Sequence, residues 1–285
     1  DSVNVMGLFL GGIIMMKKIG TKLLIVMAVM LGGVVAVQQP TTAHASNKIS
    51  SVPSGHFKVS KAAYAFHWQT VKSGSKKAQI LVFGDFKQPA VRYAVPTKYK
   101  LSKNHRTLTT YYRLMNKNKL DKTTYRMDIY KYSNSKYKVK LNQYKAGLLP
   151  SYKGKSYTAN VTKSSPAQSY ASTYAKPKLF NAEYKATYKA NYDANYKAAY
   201  DAYLTQVTDA INKGAQQDYK DGKNGDPSTP EAQQDIKNAA LKYVKDNTDK
   251  ITQNITKNFT QAVTQKVNKD VTKTLQNLVS AYNAH

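Results

Sequence analysis

The sequence predicts an α+β protein: a small antiparallel β-domain, barrel- or sandwich-like, followed by a long α-helical hairpin. Three observations carry this. Residues 57–162 alternate apolar and polar positions in short runs between turn residues. Residues 184–203 and 251–279 instead repeat every four positions. Between these two patterns, residues 161–178 ("VTKSSPAQSYASTYAKPK") are rich in Ser, Ala and Pro and follow no period, which reads as a linker spanning 163–178.

Residues 1–45 come first and stand outside the fold. Residues 1–14 place apolar residues ahead of the first lysines, so they read as a mis-assigned gene start, with Met15 or Met16 as the natural beginning. A secretory signal peptide follows in the expected order. Lys17, Lys18 and Lys22 supply the positive region, residues 23–37 ("LLIVMAVMLGGVVAV") the apolar one, and Ala43-His44-Ala45 the cleavage site. The apolar run is short for a membrane span of about 20 residues, so the mature chain is expected to begin at Ser46 and to carry no span. Residues 46–56, "SNKISSVPSGH", read as a disordered lead-in.

The β-domain is expected over 57–162. The runs "KAAYAFHWQTVK", "AQILVFGDF", "AVRYAVPTKY", "RTLTTYYRLMN", "TTYRMDIYKY" and "KYKVKLNQY" are separated by turn signals such as "SGSKK" and "SNS". In the last run Tyr137, Val139 and Leu141 share one face, and Lys136, Lys138 and Lys140 share the other. Such alternation predicts antiparallel strands with one buried face and one wet, cationic face. The lone Trp68 beside His67 reads as packing.

The hairpin is expected over 179–285. "YKATYKANYDANYKAAYDAY" places Tyr184, Tyr188, Tyr192, Tyr196 and Tyr200 in one column. Its length exceeds an ordinary strand, and its alanine content favours helix. Lys189, Asp193, Lys197 and Asp201 form successive i,i+4 opposite-charge pairs. A helix is predicted from about Leu179 to about Gln217. Gly222, Gly225 and Pro227 then break it, and Thr229-Pro230 reads as an N-cap with proline at the first position. The Asp/Gly/Asn spelling of that break fails calcium-loop spacing. In the last stretch Ile251, Ile255, Phe259, Val263, Val267, Val271, Leu275 and Val279 form an apolar column beside Thr252, Thr256, Thr260 and Thr264. The tyrosine column is therefore expected to be one side of a packing seam, and a two-helix core is thin enough to invite homo-oligomerisation.

Charge separates the halves further. The chain carries 44 Lys+Arg against 16 Asp+Glu, a net charge of +28. Residues 46–162 hold 24 basic and 3 acidic residues, whereas 163–285 hold 17 and 12. A charge this lopsided repels itself and points to an anionic partner. The polyanion-binding candidates are Lys98 and Lys100, Arg113 and Arg126, Lys131, and Lys136, Lys138 and Lys140. Rows of cations interleaved with tyrosine suit phosphate- or uronate-rich polymers.

Other chemistry finds little footing. The chain has no cysteine, which removes disulfides, thiolate catalysis and Cys-ligated metal. His56, His67, His105 and His285 have no ligand or triad spacing. Asp85, Asp121 and Asp128 are the β-domain's only carboxylates. Neither G-x-S-x-G, H-E-x-x-H nor a P-loop occurs. No enzyme, cofactor or metal is expected.

The signal peptide, absent cysteine, sequence pI near 9.9 and Lys/Tyr/Thr/Asn/Ala bias resemble exported cell-surface and wall-associated proteins of lactic acid bacteria. That resemblance implies a secreted, cell-wall-associated protein held by an anionic wall polymer such as teichoic acid, with the hairpin as spacer or assembly arm. Two alternatives stand beside it: a secreted nucleic-acid or polyanion binder, and a host-surface adhesin acting through the helices.

Overall fold

A computed structural model describes residues 47–73, 76–116, 119–142 and 156–284. The start, signal-peptide and cleavage assignments lie outside the described residues. The chain forms two compact units. One runs to Phe180 and also includes Asp270–His285; the other is Asn181–Lys269.

The first unit is a β-barrel. Its strands are β1 His56–Val59, β2 Tyr64–Ser73, β3 Lys76–Asp85, β4 Ala90–Leu101, β5 Thr107–Asn116, the two-residue β6 Lys119–Leu120, β7 Tyr125–Lys131, β8 Lys136–Asn142 and β9 Tyr157–Thr162. Every pairing is antiparallel, and the order β4-β3-β2-β1-β9-β8-β7-β5 closes through a further β4–β5 pairing. Eight strands thus complete an up-and-down ring, and β6 hangs from β5. The register breaks between Pro96 and Lys98, where proline cannot donate to the ladder.

Alternation fills the barrel. Phe57, Phe66, Trp68, Phe83, Tyr112 and Met127 are among its buried interior residues. Phe57 stacks on Phe66 and meets Trp68 and Tyr137 edge-on. Eight strands leave a lumen about wide enough for side chains to fill.

The outer side departs from the expected wet face over β2 and β3. There Ala65, His67, Val71, Ile80 and Val82 point outward and are nonetheless buried. The cover comes from elements beyond the strands. Helix α1 (Ala167–Tyr170) and the π-helical stretch Ala171–Ala175 bury Ala167, Tyr170, Ala171 and Ala175. The last turns of a later helix, within Asp270–His285, bury Leu278, Ala281 and Tyr282. Tyr282 packs on His56, His67 and Phe86. The Tyr93 hydroxyl donates to the Ala281 carbonyl at 2.5 Å, and Tyr170 hydrogen-bonds Ser60 at 3.0 Å. The predicted linker is therefore mostly helix, held by small residues that sit close on the barrel.

The lead-in is also structured. Ile49 is buried, and its amide donates to the His105 carbonyl at 2.7 Å. Two barrel strands, β1 and β9, fall outside the six predicted runs because each is short, although both lie within the expected β-domain apart from His56.

The second unit contains most of three helices: α2 Lys176–Lys220, α3 Pro230–Asp246 and α4 Thr248–Asn283. Thr229 caps α3, accepting from the Ala232 amide at 3.2 Å, with proline at the helix start. Asn247 leaves helical geometry (φ −111°, ψ 13°) and divides α3 from α4. The tyrosine column packs as predicted. Tyr188 and Tyr192 meet Phe259 edge-on. The Tyr192 and Tyr196 hydroxyls hydrogen-bond Thr256 and Thr252 at 2.8 and 2.9 Å. The pairing is antiparallel, since rising numbers on α2 meet falling numbers on α4.

The apolar column of α4 needs one correction. Burial follows Ile251, Phe259, Val263, Val267, Val271 and Leu275, then moves to Leu278 and Tyr282, leaving Ile255 and Val279 half-buried. A period of four drifts about 40° per step around a 3.6-residue helix. The three-residue step from Leu275 to Leu278 resets the stripe toward the barrel cover.

Candidate polyanion-binding face

Half of the barrel's outer side stays wet. From β4 across β5 and β7 to β8, the outward positions carry Lys98, Lys100, Tyr111, Arg113, Arg126, Asp128, Tyr130, Lys136, Lys138 and Lys140, as the register dictates. Lys98 and Arg126 both pair with Tyr111. Lys100 pairs with Thr109, Thr109 with Asp128, and Asp128 with Lys140. Tyr130 pairs with Lys138. Neighbouring strands lie about 4.8 Å apart, and outward positions along one strand about 7 Å apart. The face is thus a grid of cations with tyrosines between them. Lys98, Lys100, Lys136, Lys138 and Lys140 are exposed, and Arg126 is partly so.

Asp128 is the only carboxylate on the grid among the described residues, and it is held from two sides. Arg126 reaches it through Nη2 at 2.9 Å and Nε at 3.0 Å, and Thr109 donates to it at 2.7 Å. The same carboxylate raises the arginine's affinity for its proton. Its effect is to fix Arg126 in place while offsetting one charge. The other two β-domain carboxylates have turn roles. Asp85 accepts from the Lys87 and Gln88 amides, and Asp121 from the Thr123 amide and the Tyr125 hydroxyl.

Two predicted residues sit differently. Lys131 shares the inward parity of β7; it is buried, and its ammonium donates to the Lys48 carbonyl at 2.9 Å. Burial lowers its pKa. It ties down the lead-in and does not join the face. Arg113 points outward but is half-buried, with its Nε shielded from solvent.

The aromatic partners were not among the residues that charge singled out. Lys100 lies 6.0 Å from the Tyr111 ring centroid, and the Arg106 guanidinium 4.7 Å from that of Tyr130. Outward parity alone singles out Tyr111 and Tyr130, because each shares its face with the candidate cations. Arg106 needed the fold, since it lies in a turn before β5.

Among the described residues no group of His, Asp or Glu gathers to hold a metal ion, and no helix is long and apolar enough to cross a membrane. Comparison of the chain with protein-family models, curated proteins and solved structures finds no match in any of the three.

Proposed function

We propose that this is a non-enzymatic, exported protein of the cell surface, whose barrel binds an anionic wall polymer of the teichoic-acid kind and whose helices serve as spacer or assembly arm. The carrying observation is the cation grid across β4, β5, β7 and β8, where a single carboxylate is already engaged by Arg126. Its regular spacing suits an extended polymer with one charge per repeat, because several phosphates can be met at once and their counterions released. The engaged state of all three β-domain carboxylates supports binding over acid–base catalysis.

The test is binding of the full chain to immobilised poly(glycerol phosphate) at increasing salt. Affinity is expected to fall linearly on a log–log plot. Replacing Lys136, Lys138 and Lys140 together by alanine is expected to lower that slope by about two to three. All three lysines are exposed, so the fold should persist. A protein that ignores the polymer at low salt, or binds single-stranded DNA in its place, would overturn the wall-polymer reading.

A further inference from the structure

At one end of the cation grid the structure holds an aromatic group that charge alone does not explain. Tyr132, just past β7, is 43% exposed, and it is the one large hydrophobic side chain so exposed among the described residues of the barrel unit. The others of its kind, Tyr219, Leu241 and Tyr243, lie on α2 and α3. Tyr132 is not loose. Its ring meets Tyr130 edge-on at 5.1 Å between centroids. Tyr130 is backed by the Arg106 guanidinium, and Arg106 is itself tied by Nη2 to the Lys131 carbonyl at 3.2 Å. The Tyr132 amide bonds the Lys136 carbonyl at 2.9 Å, which closes the turn beneath the ring. Lys131, pinned to the lead-in, anchors the same end.

A stack of this kind costs an exposed aromatic surface without adding to the core, since Tyr130 and Tyr132 both point away from the barrel interior. What it offers is a ring face held at a fixed angle, next to Lys136 and to Lys138, the cross-strand partner of Tyr130. Tyrosine presents a large rigid surface at small conformational cost, and an apolar ring face stacks on the C–H faces of sugars as it does on bases. Ammonium groups one strand away would hold the neighbouring phosphate.

We propose that Tyr132, supported by Tyr130 and Arg106, is a ring-stacking subsite, and that the polymer this face takes is a phosphodiester chain whose repeat bears a sugar ring. This rests on the wall-polymer reading of the cation grid. The grid supplies attraction to any polyphosphate, and the subsite adds discrimination between bare and sugar-bearing chains.

The experiment compares binding of the full chain to poly(glycerol phosphate) with and without glucosyl substituents at matched phosphate and salt. The substituted polymer is expected to bind roughly five- to tenfold more tightly, the scale of one aromatic stack. Tyr132→Ala is expected to erase the preference while leaving affinity for the bare polymer unchanged, and Tyr132→Phe to retain it. Equal affinity of the wild type for the two polymers, or a preference that survives Tyr132→Ala, overturns the subsite and leaves the wall-polymer reading standing. Failure of both polymers to bind at low salt overturns both. Binding of single-stranded DNA alone, lost in Tyr132→Ala, would assign the ring to bases and overturn the sugar.

Discussion

At the scale of single residues, Gly84 shows how tightly the barrel's cover fits. A Cβ built there would lie 2.8 Å from both Tyr282 Cδ2 and Phe86 Cε2. Both rings are fully buried, so neither can swing aside. Gly84→Ala is expected to cost about 1–3 kcal/mol and to lower the melting temperature by about 2–4 °C per kcal/mol, measured by calorimetry. His67 sits under the same cover. Its ring is 4.6 Å from His56 between centroids and is buried. Burial first, and then the neighbouring imidazole, push its pKa down to about 4, and burial lowers that of His56 as well. The folded state therefore favours the neutral rings. Their contribution is present above the unfolded value of about 6.5, and it is lost as the pH falls toward about 4. Stability is expected to drop across that window, and His67→Phe to flatten the drop, as read from urea melts at stepped pH.

Elements were legible where one period ran long and had one partner. The tyrosine column and the threonine–isoleucine columns of 251–264 can be matched from their spacing alone, because a helix of that length admits one apolar stripe. The seam they form leads to a graded expectation. Phe259→Ala removes the ring that Tyr188 and Tyr192 both meet and should cost about 3–5 kcal/mol. Tyr196→Phe removes only the bond to Thr252 and should cost about 0.5–1.5 kcal/mol. Helical circular dichroism during denaturation measures both. Elements were illegible where the residues that select them lie elsewhere in the chain. Strands β1 and β9 are short, and each is paired on one edge only by the other. The segment 163–178 has no period of its own, since its helical turns are selected by the barrel surface they cover. The candidate face follows the same logic. Lysines on alternate positions of β8 declare their side. Lys131 instead continues the inward face of Tyr125, Met127 and Ile129, and its charge hides that parity until its stem is seen reaching a backbone carbonyl.

At the scale of the whole molecule, the barrel has two outer sides with different fates. Over β2 and β3 the continuous apolar runs "YAF" and "ILVF" let both strand faces be buried, and the covering helix turns meet that demand. Over β5, β7 and β8 strict alternation leaves the outer side to water and to cations. The outward lysines and arginines of β4, β5, β7 and β8 therefore share one side of the barrel, which is what gives the proposed polymer contact its direction. The closure of the ring also imposes an order on assembly. Its final seam joins His56–Lys58 to Asn160–Thr162, and the cover joins His56 to Tyr282, 226 residues later. Such distant pairings form slowly, since the ends must be brought together before any contact rewards them. A chain emerging N-terminus first has no ring to close until β9 arrives, and no seal over β2 and β3 until the end of α4 does. The ring can therefore close once Thr162 has emerged, while the apolar outer side over β2 and β3 stays bare until Tyr282 follows.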